Sequence, residues 1–268
     1  MPERESPNTN TNTNTNKETI MDITRTAVVT GASSGIGRAT ALDLGADHRV
    51  ALVARRADAL EALAGELPAA RAYVCDLADR TAVAELSAQL ADDLGEIDVV
   101  VNAAGTRPDR LLTTQPFDEA AARFDEQIEA NLVTTFNVTF ALAPLIRRPG
   151  GRIVNISSIA AQNGGSRAGS AGYAAAKAAV HALGLGLSRE LAPEGITVNT
   201  IAPGFIAGTR FTGDWADDVV ARLVEATPTG RAGHPDDVAA AVRYLTSPAA
   251  AMVTAQCLAV NGGTLPTR

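Results

Sequence analysis

Ala27-Val28-Val29-Thr30-Gly31-Ala32-Ser33-Ser34-Gly35-Ile36-Gly37 joins a short apolar run to a glycine-spaced turn that opens a helix. Glycine permits a tight turn and lets the backbone approach a pyrophosphate closely. The helix start adds free N–H groups and a partial positive charge. Alone, such a loop is compatible with a plain strand-to-helix turn. It lacks the Gly-Lys-Ser/Thr ending of a nucleoside-triphosphate loop, and its spacing differs from Gly-x-Gly-x-x-Gly. Its place after the first strand of a strand–helix–strand alternation favours a dinucleotide site, with Gly31, Ser33, Ser34, Gly35, Ile36 and Gly37 as contacts.

The first strand is read over Ala27–Thr30, and the alternation continues along the chain. Val50–Ala54, Ala72–Cys75, Ile97–Val101, Ile153–Ser157, Ile196–Ala202 and Gln256–Val260 read as further strands. Several are apolar at consecutive positions, as in strands buried on both faces of a parallel sheet. Ala- and Leu-rich stretches with helical spacing lie between them. The expected fold is α/β: a single doubly wound Rossmann-type domain over residues 22–268, its seven-stranded parallel sheet flanked by helices through right-handed crossovers. Residues 1–21 include an Asn/Thr alternation with nothing apolar to bury, and are expected to form a disordered leader; Met21 is an alternative start.

The 268 residues are 46% apolar and 20% charged, an ordinary globular balance. A net charge of −7 argues against a nucleic-acid surface and suits a cytoplasmic protein with small-molecule partners. No apolar run reaches membrane-spanning length, and the N-terminus lacks a secretion-signal pattern. Cys75 and Cys257 read as buried free thiols. His48, His181 and His234 form no ligand-like spacing, so no metal site is expected.

Chemistry concentrates at Tyr173-Ala174-Ala175-Ala176-Lys177. Positions i and i+4 share a helix face. A fixed ammonium near a phenol lowers the phenol pKa, and two to three units of lowering correspond to roughly 3–4 kcal/mol. Tyr173, Lys177, Val180, Leu183, Leu187 and Leu191 fall near one side of that helix. Gly184 and Gly186 within it imply close packing against another helix, of this chain or of a second subunit. Ser158 ends the fifth strand fifteen residues before Tyr173, as a carbonyl hydrogen-bond donor or a backbone cap. At the end of the second strand, Arg55 and Arg56 stand where an NAD site usually places an acid. They suit the 2′-phosphate of NADPH, with Arg55 leading and Arg56 helping, or form a solvated basic pair. Asp76, followed by Leu77, meets an adenine or caps a helix. Asn102, Ala103, Ala104 and Gly105 either let a cofactor lie close to the fourth strand's end or form a packing turn.

Together these motifs resemble the short-chain dehydrogenase/reductase family, over residues 24 to 263. The resemblance rests on Thr-Gly-x-x-x-Gly-x-Gly at 30–37, Asn-x-Ala-Gly at 102–105, Asn131, Ser158, Tyr-x-x-x-Lys at 173–177 and Pro203-Gly204. It implies hydride transfer from NADPH to a carbonyl carbon. Tyr173 would be the general acid. Lys177 would hold the nicotinamide ribose and depress the tyrosine pKa, and Ser158 would polarise the carbonyl. Asn131 would anchor a water leading to the lysine, where the bland alternative is an ordinary polar residue. The family's cofactor contacts map onto the residues named above and onto Pro203, Gly204, Ile206 and Thr209.

Within the family the chain resembles reductases of 3-oxoacyl thioesters on acyl carrier protein, through Pro203-Gly204-Phe205-Ile206, Gly230-Arg231-Ala232-Gly233-His234-Pro235 and Val260-Asn261-Gly262-Gly263. Alcohol and sugar dehydrogenases share these stretches. The expected function is therefore ketone reduction to a secondary alcohol, on a 3-oxoacyl thioester in fatty-acid or polyketide assembly. The alternatives are an alcohol, sugar or steroid dehydrogenase, and a non-catalytic nucleotide-sensing regulator. The intact Ser158, Tyr173 and Lys177 set argues against the regulator. A homotetramer is implied by the resemblance. Four departures stand out. Ala103 replaces a second asparagine, and the loop from Ile159 to Gly172 is longer than usual. Gly208 takes the expected threonine position, with Thr209 next. Glu194 stands where some carrier-protein reductases are basic, leaving Arg147 and Arg148 to attract an acidic carrier. Residues 205–227 are expected to form the substrate lid, with Phe211 and Trp215 as an aromatic wall or as core packing.

Overall fold

The computed structural model describes residues 25–106, 109–213 and 215–265; the expected leader and alternative start at Met21 lie outside them. Seven strands form one parallel sheet: β1 (Arg25–Thr30), β2 (His48–Ala54), β3 (Ala70–Val74), β4 (Val99–Asn102), β5 (Arg152–Ile156), β6 (Thr197–Pro203) and β7 (Cys257–Val260). Their order is β3-β2-β1-β4-β5-β6-β7, so the chain reverses direction of travel across the sheet between β1 and β4. Each expected strand is present, shifted by a residue or two at its ends. The helices are α1 (Gly35–Leu44), α2 (Ala57–Glu66), α3 (Arg80–Leu94), α4 (Phe117–Ile128), α5 (Thr134–Leu142), α6 (Ala160–Asn163), α7 (Ala171–Leu191), α8 (Asp217–Glu225) and α9 (Pro235–Thr246). One π-helical turn, Glu129–Val133, joins α4 to α5.

The consecutive valines and isoleucines of β1, β4 and β5 are buried on both sheet faces, which is why these strands are apolar throughout rather than alternating. One face packs Leu44 of α1, Leu60 and Leu63 of α2, and Val242 and Leu245 of α9. The other packs Leu86 and Leu90 of α3, Val138 and Leu142 of α5, and Leu187 and Leu191 of α7. These two layers make the fold doubly wound. No described helix is long and apolar enough to cross a membrane.

Within this chain Gly184 packs otherwise than expected, and one of the two thiols is less buried than expected. Gly184 lies against the sheet, not another helix: a Cβ there would meet Thr200 Oγ1 at 3.0 Å and Asn155 Nδ2 at 3.2 Å. Gly186 has no described atom within 4 Å of that position. The thiol of Cys75 is buried and that of Cys257 only half-buried, and both are free.

Candidate active site

A cleft of about 840 Å³ opens along the carboxyl ends of the strands. Ligands of open α/β sheets bind at this edge, where the winding reverses. Every candidate catalytic and cofactor-binding residue named from the sequence lines the cleft except Asn102. That side chain is buried, and its Nδ2 donates to Thr139 Oγ1 and Asn155 Oδ1, both at 2.9 Å. The last residue of β4 points it into the core, since successive strand residues face opposite ways. Asn102 thus ties β4 to β5 and α5 rather than presenting a side chain to a ligand.

The glycine loop is held tightly to the fourth strand. Gly31 has φ +66°, and a Cβ there would lie 2.8 Å from Ala103 O. Thr30 Oγ1 accepts from the backbone N–H groups of Ala103 and Ala104, each at 3.1 Å. The sequence reading assigned Thr30 no role, although it opens the glycine motif. At the loop's outer side, Arg56 Nη2 donates to Ser33 O at 2.7 Å and to Ser33 Oγ at 3.0 Å. Arg55 is exposed at the cleft edge. Asp76 is not a helix cap: its Oδ1 accepts from Ala78 N at 3.1 Å, and Asp79 caps α3. It stands at the end of β3 in the cleft wall, beside Leu77.

Three consecutive residues after β5 begins to end grip α7. The Ile156 carbonyl accepts from Lys177 Nζ at 3.0 Å, Ser157 Oγ donates to Lys177 O at 2.8 Å, and the Ser158 and Tyr173 hydroxyls are hydrogen-bonded to each other. The fifth strand therefore fixes both the backbone and the two functional side chains of the α7 first turns. The roles of Ile156 and Ser157 were not legible beforehand, because a backbone carbonyl leaves no sequence signature.

Electrostatics correct one expectation. Burial pushes the Tyr173 phenol up to about 12, partly opposed by the Ser158 hydrogen bond. Burial also pulls the Lys177 ammonium down to about 8. The net shift of the phenol is therefore upward. The i,i+4 spacing brings the ammonium within 5.9 Å of the ring centre, but burial dominates and the opposing effect comes from Ser158.

Asn131 sits in the π-helical turn, fully buried. Single π turns inside helices are frequent at functional sites. Its Nδ2 donates to Gln127 O at 3.1 Å and Thr106 O at 3.3 Å, while Oδ1 is buried with no partner among the described residues. A Cβ on Gly105 would lie 2.7 Å from that oxygen and 3.3 Å from Lys177 Nζ.

Over the other end lies the segment after β6, the one expected to form a lid. Pro203 ends β6, Gly204 N donates to Val260 O at 3.0 Å, and Ile206 bridges to Gly233. The Thr209 methyl stands 3.3 Å from where a Gly35 Cβ would be, so this segment reaches the glycine loop. Phe211 packs on the Tyr173 ring and Trp215 on Phe205.

Arg147 and Arg148 are not at this edge. Arg147 pairs with Asp98 at 2.6 Å and Glu96 at 3.2 Å, and Arg148 pairs with Glu194. These pairs cluster where β4 and β5 start, across the sheet from the cleft. Both arginines are paired with acids and lie at the opposite end of the strands from this chain's own cleft.

The residues present fit a dinucleotide. The glycines clear the backbone, the start of α1 faces the cleft, and cations stand at the end of β2. Among the described residues no three His, Cys, Asp or Glu side chains cluster to hold a metal.

A family model described as enoyl-(acyl carrier protein) reductase matches residues 31–264. The chain is 37% identical over 253 residues to the short-chain reductase protein NovJ of Streptomyces niveus, covering 88% of this chain and 92% of that one. It is 36% identical over 240 residues to the 3-oxoacyl-[acyl-carrier-protein] reductase FabG of Escherichia coli, covering 88% and 96%. A crystal structure of a dehydrogenase/reductase from Sinorhizobium meliloti matches with a TM-score of 0.83 and 32% identity, covering 91% of this chain and 96% of that one. The chain belongs to the short-chain dehydrogenase/reductase family and is an NAD(P)-dependent ketoreductase of that family.

Proposed function

We propose that this enzyme uses NADPH to reduce the ketone of a 3-oxoacyl thioester to a secondary alcohol, in fatty-acid or polyketide assembly. The observation that carries the reading is the joint grip of Ile156, Ser157 and Ser158 on Lys177 and Tyr173 at the cleft. Bound there, a reduced nicotinamide would supply a hydride to the carbonyl carbon. Gly31, Ser33, Ser34, Gly35, Ile36 and Gly37 would receive the pyrophosphate, and Arg55 the 2′-phosphate, with Arg56 bracing the loop through Ser33. Asp76, Leu77, Ala103, Ala104, Gly105, Pro203, Gly204, Ile206 and Thr209 would line the remainder.

The protein's share of the chemistry is proton handling. The Tyr173 hydroxyl donates its proton to the developing alkoxide as general acid. Ser158 donates a hydrogen bond to the same oxygen and orients the carbonyl. Lys177 would hold the ribose hydroxyls, and the Asn131 Oδ1 would accept from a water that links Lys177 to solvent. The likeness to FabG, a 3-oxoacyl-[acyl-carrier-protein] reductase, supports reduction of a carrier-bound ketone, and NovJ is likewise a short-chain reductase. A homotetramer is supported by exposed Phe124, Phe136 and Phe140 on α4 and α5. A cytoplasmic location belongs to the same reading.

The test follows NADPH absorbance with an acetoacetyl thioester and a panel of simple ketones. Turnover of the thioester, with kcat/KM higher for NADPH than NADH, is expected. A clear NADH preference overturns the cofactor assignment, and a simple ketone outrunning the thioester overturns the substrate class.

A further inference from the structure

Resting on that reductase reading, we propose that the substrate half of the cleft is built for a planar aromatic acyl group. The protein has six phenylalanines, three tyrosines and one tryptophan. Four of these aromatic side chains, Tyr173, Phe205, Phe211 and Trp215, line this cleft. Most of the others are exposed on helices instead of packed in the core. The core itself is built from Val, Leu, Ile and Ala. Aromatic rings are therefore concentrated where the substrate sits, not used as general packing material.

Their arrangement has two walls. Phe211 stands 5.4 Å from the Tyr173 ring at 49°, beside the proton donor. Phe205 and Trp215 stack at 5.5 Å with 21° between planes. The Arg167 guanidinium lies 5.6 Å over the Trp215 ring, so the long loop before α7 reaches across to the segment after β6. Offset or tilted ring pairs at these separations are the favoured aromatic geometries, and they gain beyond simple area burial. The Trp215 indole N–H is buried with no hydrogen-bond partner among the described residues. Buried indole N–H groups normally find one. This donor is free to meet an acceptor atom on a bound acyl group, such as its thioester carbonyl. Exposed ring faces in a cleft wall favour stacking with a planar ring over contact with a flexible aliphatic chain.

The test compares three N-acetylcysteamine thioesters: 3-oxo-4-phenylbutanoyl, 4-cyclohexyl-3-oxobutanoyl and 3-oxobutanoyl, the methylene keeping either ring out of conjugation with the ketone. Phenyl and cyclohexyl match in carbon count and differ in flatness. The expected phenyl-to-cyclohexyl ratio in kcat/KM is roughly 3–10. It falls toward one in Trp215→Leu and in Phe211→Leu. Parity in the native enzyme overturns the inference, and so does a ratio that both substitutions leave intact. Because Trp215 is the single tryptophan, its fluorescence reports binding without turnover. Quenching is expected at lower concentrations of the phenyl than of the cyclohexyl thioester, and equal or absent quenching overturns the inference. If none of the three is reduced, the reductase reading fails, and the fluorescence titration still decides this one.

Discussion

The Lys177 ammonium stands 5.9 Å from the centre of the Tyr173 ring and donates to a single described acceptor, the Ile156 carbonyl at 3.0 Å. Such a buried cation costs stability, and burial holds it at about 8 against an ordinary 10.5. Between those values the unfolded chain binds more protons than the folded one, so stability rises with pH through that window. The cost is complete below it. Replacing the ammonium by an apolar group of similar length removes the cost. Lys177→Met is expected to gain about 1–3 kcal/mol at pH 7 while losing activity, and to lose the rise in stability between pH 8 and 10.5. Urea unfolding across pH measures both, and a less stable variant at pH 7 refutes the account.

Tyr173 behaves in the opposite sense. Its folded pKa of about 12 exceeds the ordinary 10, so its stabilising contribution is full below 10 and lost as pH rises through 12. The phenol is therefore protonated at neutral pH, as the proposed general acid must be. Tyr173→Phe is expected to lower kcat roughly 10²–10⁴-fold with NADPH binding retained. In the native enzyme kcat/KM, which reports the free enzyme's groups, falls as pH rises through about 8, where Lys177 loses its charge. Calorimetric NADPH titration and a pH–rate profile check the pair. Near-normal turnover in the phenylalanine variant removes Tyr173 from the mechanism.

The two arginines after β2 have separable tasks. Arg56 is spent on Ser33, holding the glycine loop by two hydrogen bonds, whereas Arg55 stands exposed at the cleft edge. Hydrogen bonds to charged groups contribute about 1.5–3 kcal/mol. Arg55→Ala is expected to lower kcat/KM for NADPH roughly 10–100-fold and leave NADH use nearly unchanged. Arg56→Ala is expected to weaken both cofactors, because it loosens the loop they share. Steady-state kinetics with both nicotinamides distinguish the two. Equal losses for NADPH and NADH in Arg55→Ala would show that no 2′-phosphate is recognised there.

What was legible in the sequence was local. Seven consecutive apolar runs marked strands buried on both faces, and glycine spacing marked the loop that clears a ligand. The direction of Asn102 was not legible, because a strand-end residue can face core or cleft and only register decides. The partners of Arg147 and Arg148 were hidden for a related reason: Asp98 and Glu194 lie 49 and 46 positions away and meet them only through sheet topology. The sign of the Tyr173 shift was missed because spacing reports proximity, whereas the burial that dominates it is a property of the whole fold.

Gly105 supplies the sharpest test of the buried polar cluster. Its missing Cβ leaves room for Asn131 Oδ1 at 2.7 Å and Lys177 Nζ at 3.3 Å, and neither group is free to retreat. Asn131 is anchored through Nδ2 to the Gln127 and Thr106 carbonyls, and Lys177 to Ile156. A methyl group there must lift the loop after β4 or rotate Asn131 out of place. Overpacking of this kind costs about 1–3 kcal/mol. Gly105→Ala is expected to lose that much stability and to drop kcat by at least roughly tenfold, since misplaced proton-handling groups cost rate steeply. Gly65 in α2 is the matched control, with no described atom within 4 Å of its absent Cβ. Gly65→Ala is expected to gain about 0.5–1 kcal/mol and keep full activity. Thermal unfolding and turnover of both variants decide the matter. Unchanged kcat in Gly105→Ala would mean that the Asn131–Lys177 juxtaposition plays no part in the reaction.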